Sequence, residues 1–303
     1  MSKLITIFGA TGNQGSSVIR AIQADPKLSK EFKIRGITRD ASKPAAKDLV
    51  AKGVEVVSAD MSSASSLAAA IEGSHTVFLV TNFWESLSRE VEVGQGKAVA
   101  DASKAAGVQH LIFSSIRNVT EMSKGRLKRL AHFDGKAEIE DYIRSSGVPG
   151  SFVLAGFFML NTFEMINKQG DTYTLAWPVD PHKAQIPVFD VGDDTGKFVI
   201  AAINRGPSNE RILAATEYYT PERLIAEFSE VTGHKAQAVQ IPSELFKSFL
   251  PPAVAEELNE NILLLEDPGY YGGESLDASH ALLGQQKPTG WKEFVQRNKS
   301  KWP

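Results

Sequence analysis

Three glycines spaced three residues apart, Gly9, Gly12 and Gly15, stand in the run Gly9-Ala10-Thr11-Gly12-Asn13-Gln14-Gly15. Glycine permits a tight turn and a close approach to the backbone, and a helix starting there offers unpaired N–H groups and partial positive charge. The chemistry that suits Gly9, Thr11, Gly12, Asn13, Gln14 and Gly15 is the binding of a pyrophosphate. A second group of charges lies in Thr38-Arg39-Asp40-Ala41-Ser42-Lys43. In NAD-selective sites an acidic residue at the equivalent place holds the adenosine ribose hydroxyls. A guanidinium at Arg39 and an ammonium at Lys43 suit a 2′-phosphate, so the expected cofactor is NADP(H). Asp40, beside Arg39, is expected to neutralise part of its charge.

Such residues work only when strands and helices hold them, and the sequence supplies these in alternation. Leu4–Phe8 is a short apolar run, and Val18, Ile19, Ala21 and Ile22 recur at helical spacing after the glycines. Further strands are read at 33–38, 54–59, 76–80, 110–114 and 151–154, with helices between them that close at Gly107 and Gly147. This pattern predicts an α/β, Rossmann-type, doubly wound parallel sheet with right-handed crossovers. Residues 1–155 are read as the nucleotide-binding domain. Residues 156–303 are read as a small, interleaved mixed α/β lobe that returns to the main sheet near 186–215.

Strand ends then nominate further site residues, because ligands of open α/β sheets bind beyond the carboxyl ends of the strands. Asp60 and Met61 follow the third strand, where a carboxylate accepts from an adenine amino group and a thioether packs on the ring, or where Asp60 simply opens a turn. Thr81, Asn82, Phe83 and Trp84 follow the fourth. Gly156 to Asn161 follow the sixth, and both Gly156 and Asn161 are candidates there. Trp84, Phe157, Phe158 and Trp177 either line an apolar pocket or belong to the core. The basic segment 117–128 reads as a long mobile loop, and 268–273 as a loop or a flap.

Composition narrows the classes. The 303 residues carry 33 Lys and Arg against 36 Asp and Glu, a net charge of −3, so no polyanion partner is indicated. There is no cysteine, which excludes disulfides and thiolate chemistry, and the six histidines lack the spacing of a metal site. No Gly-x-Ser-x-Gly elbow, zinc finger or basic heptad is present, so neither a hydrolase triad nor direct nucleic-acid binding is expected. No apolar run reaches the roughly 20 residues that span a bilayer, and the amino terminus does not read as a signal peptide. A soluble cytoplasmic or nuclear protein is expected.

Together, GATGNQG, TRDASK, TNFW, His132-Phe133-Asp134-Gly135-Lys136 and the later YYTPERL resemble the NmrA-like family, an atypical branch of the short-chain dehydrogenase/reductase superfamily. The resemblance covers nearly the whole chain. It implies an NADP(H)-binding Rossmann fold with a small C-terminal lobe. It also implies one of two roles: a redox sensor or transcriptional co-regulator that binds a GATA-type factor, or a reductase. Reductases of the wider superfamily use Tyr-x-x-x-Lys, the lysine binding the nicotinamide ribose and lowering the tyrosine pKa, the phenol giving the proton. Here Lys136 remains and His132 stands at the tyrosine position, so both are the candidate catalytic residues. Ser114 and Ser115 are candidates to orient a substrate. The missing phenol favours the regulatory role with weak or no turnover. The alternative is an NADPH-dependent reductase of a small carbonyl or related apolar substrate.

Overall fold

The computed structural model describes residues 2–303. Its strands are β1 (Lys3–Ile7), β2 (Phe32–Thr38), β3 (Glu55–Ser58), β4 (Thr76–Leu79), β5 (His110–Ser115), β6 (Gly150–Ala155), β7 (Phe157–Phe158), β8 (Ile166–Gln169), β9 (Thr172–Trp177), β10 (Ile186–Phe189), β11 (Arg211–Ala214), β12 (Glu217–Tyr219) and β13 (Lys235–Gln240). The main sheet has seven strands in the order β11-β6-β5-β4-β1-β2-β3, every neighbouring pair parallel. Strand order reverses between β1 and β4. In open α/β sheets ligands bind at such a switch point, beyond the carboxyl ends of the strands.

Parallel strands covered on both faces are apolar throughout, and alternate residues feed opposite helical layers. Phe78, Ile112 and Val153 join Val18, Ile19 and Ile22 of the helix Asn13–Ala24 and Phe198 and Val199 of the helix Thr195–Arg205. Val77, Leu79, Leu111, Phe113, Phe152 and Leu154 join Val99 of the helix Arg89–Ala105 and Ile139 and Ile143 of the helix Ala131–Ser146.

The second half of the chain departs from the sequence reading in several places. Arg211–Ala214 does return to the main sheet, as its outer strand against β6. Ile186–Phe189 does not. It forms a separate three-stranded sheet with β7 and β12, and β8, β9 and β13 form another. Strands β7, β8 and β12 have two to four residues and were too short to show a period. In the C-terminal half the helix Ala255–Leu263 packs its buried Ala255, Asn259 and Ile262 inward.

Segment 117–128, expected as a mobile loop, is tied into the fold. Val119–Met122 is a helical turn, and the Asp134 carboxylate accepts the N–H groups of Val119 and Thr120 at 2.9 and 3.2 Å. Arg117 pairs with Glu274 and Arg126 with Asp267, both in the C-terminal half, and Val119 and Leu127 are buried. The 268–273 stretch is no flap either. Tyr270 and Tyr271 are buried in the core, and the Tyr271 hydroxyl donates to the Leu154 carbonyl at 2.8 Å.

Candidate functional site

The glycine turn joins β1 to the helix Asn13–Ala24, with Gly12 at the helix N-cap. Gly9 has φ +63°, a left-handed conformation that suits glycine. Gly15 is required by proximity: a Cβ there would lie 2.2 Å from the Gly9 carbonyl oxygen. The Gly12 N–H closes the turn on that same carbonyl at 2.9 Å. Among the described residues, no hydrogen bond is made by the N–H groups of Asn13, Gln14 or Gly15. Three free donors at a helix start are what a diphosphate takes. Gly15→Ala should therefore open the turn, destabilise the protein by about 1–3 kcal/mol and abolish nucleotide binding. Thermal melting and a nucleotide titration of the variant check this.

At the end of β2 the Arg39 guanidinium is 68% exposed and pairs with Glu85 of the single turn Phe83–Glu85. Asp40, the expected neutraliser, is engaged elsewhere: one carboxylate oxygen takes the Ser42 N–H at 2.9 Å and its hydroxyl at 2.6 Å. These bonds hold the Asp40 carboxyl below its usual range. Lys43 is exposed and makes no ion pair among the described residues. Asp60 does form a turn, accepting the Ser62 N–H at 2.8 Å, and it stays exposed; Met61 packs partly against the core.

The opposite end is built on Thr81, Glu92 and Lys136. Lys136 Nζ donates to the Thr81 carbonyl at 3.0 Å, to the Thr81 hydroxyl oxygen at 2.7 Å and to Glu92 Oε1 at 2.5 Å. The Thr81 hydroxyl in turn donates to Glu92 Oε1 at 2.7 Å. The Glu92 side chain has no exposure, and its Oε2 has no hydrogen-bond partner. Lys136 is therefore tied to the end of β4 by a buried carboxylate.

His132 is tied as well. Its Nδ1 pairs with Glu257 of the helix Ala255–Leu263, which also accepts the His132 N–H at 2.9 Å. The imidazole ring lies 5.8 Å from Phe83 and 4.8 Å from Trp84, centroid to centroid. Phe83 is buried, whereas Asn82 and Trp84 are exposed beside it.

Other candidates take structural places. The Ser115 hydroxyl donates to buried Glu140 at 2.5 Å, and Glu140 is also held by Arg144 and Arg211, each at 2.7 Å. Gly156 is glycine for packing, since a Cβ would sit 2.5 Å from the Pro187 carbonyl oxygen. Phe157 and Trp177 stack edge to face at 5.7 Å in the core. Asn161 ends a single helical turn and is half-buried.

A family model for the NmrA-like family matches residues 1–295. The chain belongs to the NmrA-like family. An NmrA-like family domain-containing oxidoreductase, ptmS of Penicillium ochrochloron, is 34% identical over 257 residues, covering 78% of this chain and 75% of that protein. In fold, this NmrA-like chain resembles NmrA, a negative transcriptional regulator crystallised with NADP: TM-score 0.81, 23% identity, 97% of this chain and 94% of that one. It also resembles the NADPH-dependent quinone oxidoreductase QOR2 of Escherichia coli, crystallised with NADPH: TM-score 0.79, 21% identity, 97% and 99% coverage. At such identities the likeness is one of fold. This chain thus resembles both a negative transcriptional regulator and a quinone oxidoreductase in fold, so the fold does not separate those roles and the side chains at the candidate site are the place to look.

Three of those side chains, Glu85, Glu92 and Glu257, were not among the sequence candidates. Glu85 directly follows TNFW, and a carboxylate so near a strand end at the switch point is the signal that was available; Glu92 lies farther on, in the helix Arg89–Ala105.

Proposed function

We propose that this chain binds NADP(H) at the Gly9–Gly15 turn and uses the bound nucleotide as a signal to a protein partner, with weak or no turnover. One observation carries the reading. The two candidate catalytic groups on the helix Ala131–Ser146, Lys136 and His132, are each paired with a carboxylate, Glu92 and Glu257. No phenol stands four residues before Lys136.

The residues fit the cofactor. The free N–H groups of Asn13, Gln14 and Gly15 suit the diphosphate, and Arg39 with Lys43 suits a 2′-phosphate. Asp60 and Met61 would border the adenine of the bound cofactor, and Thr81, Asn82, Phe83 and Lys136 its nicotinamide ribose. The NADP and NADPH of the two solved neighbours support this assignment. Bound NADPH supplies a hydride from its nicotinamide C4. The chain's own groups at that end hold position: Lys136 Nζ donates to Thr81 and to Glu92, and His132 Nδ1 pairs with Glu257.

The family resemblance points to a GATA-type transcription factor as the partner, and so to the cytoplasm and nucleus as its places. The oxidoreductase name of the Penicillium relative favours a second reading, an NADPH-dependent reductase of a small carbonyl or related apolar substrate. Titration with NADPH, followed by its absorbance with a panel of carbonyl and quinone acceptors, decides between them. The expected result is saturable binding without sustained oxidation. Many turnovers on any acceptor would overturn the signalling role.

Arg39→Ala tests the cofactor itself. NADP(H) binding should weaken by about 1–3 kcal/mol, with NAD(H) much less affected, as read by calorimetry. Equal losses for both would remove Arg39 from the 2′-phosphate site.

A further inference from the structure

The guanidinium best placed for a 2′-phosphate is bound by Glu85. Arg39 directly follows β2, and Glu85 belongs to the turn after β4; in the sheet those strands lie on either side of β1. The ion pair therefore reaches across the carboxyl end of β1, where the glycine turn begins. Both partners are open to solvent, Arg39 at 68% and Glu85 at 45%. Neither the seven-stranded core nor the Lys136 network depends on them. The Arg39 carbonyl, by contrast, is fixed by the Ser58 hydroxyl at 2.7 Å, so the backbone under the guanidinium is held while its side chain is free to change partner.

We propose that Glu85 is a specificity-determining residue of the nucleotide site, competing with a 2′-phosphate for Arg39 and accepting the 2′-hydroxyl when the ligand is NAD(H). The proposal rests on the NADP(H) reading above and deepens it. A phosphate must displace the carboxylate or sit against its negative charge, and both lower the affinity for NADP(H). A ribose hydroxyl meets the opposite situation, since it donates to a carboxylate already oriented by Arg39. Arg39 and Lys43 taken alone overstate the preference for NADP(H). With Glu85 the site accommodates both nucleotides. An exposed ion pair is weak, which makes it displaceable by a dianion.

Glu85→Gln and Glu85→Ala separate the two parts of the claim. The amide removes the charge and keeps an acceptor, and the methyl group removes both. Calorimetric titrations of each protein with NADPH and with NADH are compared at low ionic strength. Both variants are expected to bind NADPH about two- to fivefold more tightly than the wild type. NADH affinity should stay near wild type in Glu85→Gln and fall in Glu85→Ala. Circular dichroism melts should coincide, because the residue is on the surface. Unchanged or weaker NADPH binding in both variants would overturn the competition, and NADH binding indifferent to Glu85→Ala would overturn the hydroxyl contact. If wild-type protein and variants all fail to bind NADPH, the proposed function falls and this inference with it.

Discussion

Replacing Lys136 with methionine is expected to destabilise the fold by about 3–5 kcal/mol, because it strands a buried carboxylate. The Glu92 side chain has no solvent exposure, and Lys136 Nζ, 2.5 Å away, is the cation paired with it. Thr81 supplies one hydroxyl donor to the same oxygen, and Oε2 has nothing. One oxygen thus carries all of the compensation, and removing the ammonium leaves a neutral hydroxyl to do it. Removing both charges is a different matter. Lys136→Met with Glu92→Leu takes away the desolvation cost together with the attraction, and should recover most of the loss. Urea unfolding of the two single variants and the double variant measures the coupling. Additive losses would show that the two groups do not depend on each other. The same argument bears on function: activity lost in a Lys136 variant reports a missing ribose or proton contact only if the variant is folded at the assay temperature. Glu92 makes this lysine a structural member of the crevice wall as well as a candidate ligand group.

The part of the site that was legible in the sequence is local. Gly9, Gly12 and Gly15 lie within seven residues and announce their own geometry, and the Cβ clash at Gly15 is a property of that one turn. The central strands β4, β5 and β6, buried at every position, were legible as near-continuous apolar runs, and the outer strands β2 and β3 only as shorter ones broken by Lys33, Arg35 and Glu55. What stayed hidden is pairing between distant residues. Lys136 meets Glu92 across 44 residues, and His132 meets Glu257 across 125. No spacing rule reaches so far. The basic segment is the clearest case. Arg117 and Arg126 read as solvated charges on a loop because Glu274 and Asp267, which hold them, come from the far end of the chain. Asp134 ties down the same segment through two backbone N–H groups, a contact that requires its helix to begin at Ala131. Arg39 was legible as a phosphate ligand, but the carboxylate that partners it was sought at Asp40, its neighbour in sequence, and found at Glu85, its neighbour in the sheet.

Acidification should weaken the fold through His110, a group remote from the nucleotide. His110 opens β5 at the amino end of the sheet, opposite the crevice, and its Nε2 lies 2.9 Å from the buried Ser151 hydroxyl. Burial, and then the charge of His75 nearby, lowers its pKa from 6.5 to about 4. The folded protein thus keeps the imidazole neutral at a pH where the unfolded chain has protonated it. Its contribution is fully present above pH 6.5 and declines as pH falls through the window down to about 4. The full difference corresponds to about 3 kcal/mol, of which about 2 kcal/mol is gone by a pH of about 5. His110→Gln keeps a side chain able to hydrogen-bond Ser151 and removes the titration. Urea midpoints measured near neutrality and again near pH 5 should therefore differ less in the variant than in the wild type. Equal slopes would assign the acid sensitivity to other groups, His75 first, since burial lowers its pKa too. Nucleotide affinity gives the complementary readout. The Gly9–Gly15 turn, Arg39 and Lys136 all lie at the carboxyl end, so His110→Gln should flatten the stability profile while leaving NADPH binding at neutral pH unchanged.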